Sequence, residues 1–167
     1  MTAIRQAHGR GVEIITGAEV ALDPSVRALC RRPYPGHPRG CPNWGKRPAC
    51  PPEAALLSER MDLSRPVGVV WNRFDLGAHV ARMRAKHPEW SDRQCRCCLY
   101  WQPRARKQLR AALREAHRHF GPGRMMVACP EAMGVNVTET MRRVGVVLEW
   151  PPVQWAYQVA LIGYRRA

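Results

Sequence analysis

Seven cysteines are the residues of this chain best suited to do chemistry, and they fall into two groups. Cys30, Cys41 and Cys50 lie in 29–52, LCRRPYPGHPRGCPNWGKRPACPP. Cys95, Cys97 and Cys98 lie in SDRQCRCCLYWQP, and Cys129 follows downstream. The first stretch carries seven of the chain's fifteen prolines, so it is neither a long helix nor a central strand. A loop of that length needs a reason to be ordered. A metal or metal cluster fixing three thiolates supplies one. In a reducing compartment, clustered thiols bind metal or do redox work rather than pair as disulfides.

The count of ligands leaves several arrangements open. One four-thiolate site leaves three cysteines over, and two such sites need one ligand more than the chain has thiols. A cluster held by three cysteines has one iron open to substrate, which permits sulfur chemistry. His37 is a candidate eighth ligand, although a histidine in a PGHP turn is equally a plain turn residue. Zinc is the rival metal, but structural zinc sites use C-x(2–4)-C knuckles, and the first group has none. Adjacent Cys97 and Cys98 also suit one small tetrahedral ion poorly. Long, proline-rich spacings and Cys-Pro pairs at Cys41, Cys50 and Cys129 favour an iron–sulfur cluster, as in ferredoxin C-P runs.

The expectation is therefore one or two [4Fe-4S] clusters, with ligands from 29–52 and 95–129. They would serve electron transfer, or an open iron acting on sulfur in a nucleotide or RNA. The alternative is a zinc-stabilised nucleic-acid-binding protein without catalysis. No catalytic residue is singled out: there is no Walker loop, G-x-G-x-x-G, G-x-S-x-G or H-E-x-x-H.

The charge is +14, almost all of it arginine. Such a surface suits RNA, DNA or an acidic redox partner protein, although arginine also accumulates without selection for binding. Arg31, Arg32, Arg39, Lys46 and Arg47 surround the first cysteines, where they would offset the cluster's negative charge or simply be solvated. Trp44 and Trp101 would shield the metal or pack in the core. Arg106, Arg110, Arg114 and Arg118 recur every four residues and would form one stripe on a helix. That stripe reads as a polyanion-binding row or as a solvated face. No apolar run approaches the roughly 18 residues of a membrane span, and the opening MTAIRQAHGRGVEII lacks a signal-peptide pattern. A cytoplasmic chain is expected.

These residues need elements to position them. Residues 1–10 look like a loose basic end. Val12–Ile15 reads as a strand, Asp23-Pro24 opens a helix toward Cys30, and Glu53–Arg60 reads as two helical turns. Pro66–Phe74 is β-branched and aromatic, a strand. Asp75 caps a helix with Leu76, Val80, Met83 and His87 on one face, ended by Pro88. Pro103 starts the longest helix, burying Leu109, Ala112, Leu113, Ala116 and Phe120, and Gly121-Pro122-Gly123 ends it. Arg124–Ala128 reads as a strand delivering Cys129, and Asn136 with Glu139 starts a helix to Arg143. Val146–Trp150 and Tyr157–Tyr164 read as the last strands. Alternating strands and helices predict a single α/β domain over 1–167. It has a mixed sheet of about five strands, flanking helices and a long Cys/Pro-rich metal-binding loop.

The segment CPNWGKRPACPP resembles the C-P-x-Y-G-x-x-x-x-C-P-P signature of a family of uncharacterised prokaryotic predicted metal-binding proteins. That family also has a second cysteine group, a C-x-x-P-E element and an M-E-A-x-G-I-D-V-x-x-T segment. Cys129-Pro130-Glu131-Ala132-Met133-Gly134-Val135-Asn136-Val137-Thr138 is similar to the last two. The resemblance covers about 29–52 and 95–145 and implies metal binding through Cys41 and Cys50, with Cys30 and Cys129 beside them, but no reaction. Here the family's C-x-x-C-x-x-C group is compressed to Cys95-Arg96-Cys97-Cys98.

Overall fold

A computed structural model describes residues 4–6, 10–15, 17–34, 37–120 and 123–166, without the side chains of 4–6, 10–15, 18, 119 and 120. Most of the expected basic end, the buried Phe120 side chain and Gly121-Pro122 lie outside the described residues. Five strands and five α-helices make up its regular structure, together with three 3-10 helices. In sheet order the strands are β1 (Ile4–Gln6), β2 (Arg10–Ile15), β3 (Val67–Asp75), β5 (Trp155–Tyr164) and β4 (Arg124–Val127). Every pairing is antiparallel.

This overturns the expected α/β fold on a mixed sheet. The part of the sheet with described side chains is three antiparallel strands, β3, β5 and β4, and β2 and β1 extend it past β3. Parallel neighbours need a crossover between consecutive strands; the connection from β3 to β4 crosses over, but β5 lies between those two strands and pairs antiparallel with both. The helix after β3 does not lead to a parallel neighbour. Val146–Trp150 is also not a strand. The Glu149 carboxylate accepts the backbone N–H groups of Val153, Gln154 and Trp155, so the chain curls around an acid instead of extending. Val147 and Trp150 are left 80% and 85% exposed.

The period-2 pattern of the central strands builds two faces. Val67, Val69, Val159 and Leu161 face one side, where Leu57, Met61, Val135, Val137 and Met141 cover them. Val70, Ala160 and Ile162 face the other, under Leu109, Ala112, Leu113 and Ala116. Those four lie on α4 (Cys98–Phe120), which begins five residues before Pro103. Pro103 is the sixth residue of α4, past the four N-terminal N–H groups that lack partners in any helix, so it removes one backbone hydrogen bond from the second turn. Beside it, α2 (Leu76–Lys86) is capped by Asp75, whose carboxylate accepts the Ala78 N–H at 2.8 Å. Between them runs α3 (Asp92–Cys95). On the opposite face lie α1 (Leu57–Arg60), only four residues of the two turns expected, and α5 (Val137–Arg143), capped by Asn136 as its sequence indicates. Among the described residues, no helix is long and apolar enough to cross a membrane.

Candidate metal centre

Two segments far apart in sequence are docked before any thiol is considered. A 3-10 helix, Pro24–Arg31, starts at Asp23, whose carboxylate accepts the Ser25 N–H at 3.0 Å, and it carries Cys30 near its end. A second, Pro130–Met133, starts directly after Cys129. Asp23 N–H donates to the Gly134 carbonyl and Asn136 N–H to the Ala21 carbonyl, both at 2.8 Å. Ala21 N–H donates to the buried Thr140 hydroxyl at 3.1 Å. Gly134 permits this approach: at φ +77° it faces Pro24 so closely that a Cβ would lie 3.2 Å from the Pro24 Cα. The ladder holds Cys30 and Cys129 on neighbouring short helices.

The loop brings Cys41 and Cys50 to the same place through consecutive turns. Gly40 N–H donates to the His37 carbonyl, Trp44 N–H to Cys41, and Cys50 N–H to Arg47, while Ala54 N–H donates back to Cys50. Cys41 N–H closes on the Cys30 carbonyl at 2.7 Å. Gly40, buried at φ +79°, makes that closure possible, since a Cβ there would meet the same carbonyl at 2.6 Å. Arg27 ties the loop's end down, donating to the carbonyls of Pro52 at 2.6 Å and Ala54 at 2.8 Å.

The electrostatics of the thiols follow from this docking. Burial and then the neighbouring Cys41, Glu131 and Cys50 push the Cys30 thiol up. Burial and then Glu131 push Cys129 up to about 12; Cys30 and Cys50 add to this, and the Ala132 N–H opposes it. The Cys129 thiol donates to Glu131 Oε2 at 3.7 Å. Burial holds the Glu131 carboxyl above its ordinary range, against opposing hydrogen bonds from its own backbone and from Cys129. Cys129 and Glu131 keep surface open to solvent while protein crowds their other sides, so they line a recess. Backbone docking and these couplings put Cys30, Cys41, Cys50 and Cys129 in one neighbourhood, with Glu131 beside it. Like charges that raise one another resist deprotonation until a cation joins them.

The remaining cysteines divide. Cys95 is 0% exposed and packs among Phe74, Leu76, Val80, Ala105 and Ala156, a core residue rather than a donor facing the recess. Cys97 and Cys98 are half-buried at the start of α4. Burial and then Cys97 push Cys98 up, while its own backbone N–H and Arg106 pull it down. Tyr34 lies between this pair and the group of four: burial, then Cys41, Cys98 and Cys30, raise its phenol, with Arg106 opposing. His37 exchanges both backbone hydrogen bonds with Tyr34 and packs its ring on the phenol at 4.6 Å.

The surrounding charges and rings are placed as follows. Arg31, Arg32, Arg39, Lys46 and Arg47 are all exposed, with the Arg31 guanidinium 5.8 Å from the Trp44 ring centre. Trp101 stacks on Phe74 in the core, and its indole N–H donates to the Arg96 carbonyl. Arg106, Arg110, Arg114 and Arg118 are exposed along α4, the first of them beside Cys98. Among the described residues, no three His, Cys, Asp or Glu side chains are close enough to ligate a single metal ion.

Residue types and spacing did not single out Glu131, Tyr34 or Arg27. Glu131 had a signal in the Cys-Pro-Glu run, and Tyr34 in being an aromatic residue inside the cysteine loop. Arg27 had none, because one arginine among many carries no mark of its partner. Compared with protein-family models, with curated proteins and with solved structures, the chain finds no match.

Proposed function

We propose that this is an iron–sulfur protein in which Cys30, Cys41, Cys50 and Cys129 hold one [4Fe-4S] cluster for electron transfer. The observation that carries the proposal is the backbone docking that holds the Cys30 segment against the Cys129 segment and closes Cys41 on Cys30, which brings together cysteines from two segments about eighty residues apart. The long, proline-rich spacings and the Cys-Pro pairs at Cys41, Cys50 and Cys129 support a multi-iron cluster over zinc. Four thiolates ligate every iron of one cluster, which favours redox work over an open iron acting on sulfur. When bound, the cluster would take up and release one electron. The chain's own residues set the conditions for this. The loop turns fix Cys41 against Cys30, Glu131 adds a titratable carboxyl beside Cys129, and Arg106 adds a cation on the Tyr34 side. Cys97 and Cys98 are too few to hold a second cluster with Cys95 in the core.

The α4 arginines support an acidic redox partner. Their row begins at Arg106, next to Tyr34 and Cys98, so a partner bound along it would sit near the cluster. A cytoplasmic setting, where thiols stay reduced, would suit such a cluster. The test is anaerobic purification with an absorbance spectrum and counts of iron, sulfide and zinc. About four irons and four sulfides per chain are expected. A colourless protein with one zinc and no sulfide would end the proposal and favour the zinc-stabilised nucleic-acid-binding alternative.

A further inference from the structure

A second site lies on the flank of α4 opposite Arg106. There α2, α4 and the end of β3 border an open cleft of about 480 Å³, a size ordinary for a small ligand. Arg73 from β3, Arg82 from α2 and Arg104 from α4 line it from three separate elements. Among the described residues none of the three has a carboxylate within ion-pair distance. Asp75 also lines the cleft, its Oδ1 accepting from the Ala78 N–H and from the Gln154 amide at 2.9 Å. Three positive groups against one negative leave the lining strongly cationic.

Two of the donors are held in place. The Arg73 guanidinium lies 4.1 Å from the Trp155 ring centre, stacked on an aromatic face that limits its freedom. The Gln108 carbonyl accepts from the buried Asn72 amide at 3.4 Å, which leaves the Gln108 NH₂ as a donor at the cleft. Burial, then Arg82 and Arg104, hold the nearby His79 below the ordinary histidine range, so both guanidiniums act on one locality. A lining of guanidiniums and an amide NH₂ offers hydrogen-bond donors to a ligand that must supply acceptors and negative charge.

We infer that the cleft between α2, α4 and the end of β3 binds a small organic phosphate, its phosphoryl oxygens held by Arg73, Arg82, Arg104 and Gln108. Phosphate matches guanidinium geometry with paired hydrogen bonds. Convergence from three elements on one recess suits a compact anion, whereas a nucleic-acid strand is contacted along a line. The line on this protein is the separate row Arg106–Arg118.

The test is isothermal titration of the protein as purified with pyrophosphate, with ADP and with a single-stranded RNA oligomer, while the visible spectrum is followed. Saturable binding of pyrophosphate and ADP is expected. Arg82→Gln or Arg104→Gln should weaken it by at least about tenfold, as loss of a charge-assisted hydrogen bond implies, and Arg110→Gln should leave it within about twofold. Both cleft arginines are exposed, so the variants should keep the parent's near-UV circular dichroism. Absence of saturable binding, or an equal loss from Arg110→Gln, would overturn the assignment. RNA binding weakened by the cleft variants, with no response to pyrophosphate or ADP, would overturn it too and give the cleft to nucleic acid.

Discussion

Two glycines in the cysteine loop offer a controlled test of how the site closes. Gly40 and Gly45 are both left-handed, at φ +79° and +64°. A Cβ on Gly45 would meet nothing within 4 Å, whereas on Gly40 it would lie 2.6 Å from the Cys30 carbonyl oxygen and 2.8 Å from the Arg31 carbonyl carbon. A left-handed alanine costs about 1–2 kcal/mol at either position, partly offset by about 0.4–1 kcal/mol from a stiffer unfolded chain. Gly45→Ala should therefore cost about 1 kcal/mol or less. Gly40→Ala carries the same strain and adds a clash with backbone, which cannot swing aside as a side chain can. It also loses the Cys41 N–H bond to Cys30, worth about 1 kcal/mol, and overpacking adds about 1–3 kcal/mol. The difference between the two variants should be about 2–4 kcal/mol, or roughly 30- to 700-fold in cluster retention. Anaerobic chelator challenge, with iron release followed in both variants, reads it. Equal losses would refute the claim that the Cys30–Cys41 closure forms the site.

Other perturbations test separate links. Arg27→Met removes two charge-assisted hydrogen bonds to the loop's end and should lower stability by about 2 kcal/mol, measured by urea unfolding of the holoprotein; no change would mean the tie is idle. Paired Arg110→Ala and Arg114→Ala should slow reduction by an acidic electron donor at low salt, with the difference fading as ionic strength rises; salt-independent kinetics would exclude that face. The Glu149 carboxyl is held below its usual 4.5 by N–H groups of Gln154, Trp155 and Val153. A depressed folded value means its contribution is present above pH 4.5 and lost as pH falls through the lower value. Glu149→Gln should flatten the acid limb of stability below pH 4.5, and an unchanged limb would contradict the assignment.

The local signals in the chain were informative because they rest on local physics. Asp75, Asn136 and Asp23 each cap the helix that follows, and the β-branched run in β3 and the buried face of α4 follow directly from periodicity. Sheet direction is a different kind of property. Alternating strands and helices suggested parallel crossovers, but direction depends on which strands meet, and β3 pairs with the distant β5. Val146–Trp150 has strand-like residues, yet the three backbone bonds to Glu149 outweigh propensity. In the candidate site, spacing marked all seven cysteines alike. Only packing separates Cys95, enclosed by Phe74 and Val80, from the thiols in the recess. Glu131 and Tyr34 join the site through the docking of 21–34 on 129–140, a long-range contact with no local signature.

The central claim is that Cys129 completes a four-thiolate cluster with the loop cysteines while Cys95 belongs to the core. Iron and sulfide counts on anaerobically prepared Cys129→Ala and Cys95→Ala measure this most directly. Cys95→Ala should keep about four irons per chain and lose only thermal stability, whereas Cys129→Ala should lose the intact cluster while its fold is retained. The opposite pattern, with iron lost from Cys95→Ala and kept in full by Cys129→Ala, would contradict the account.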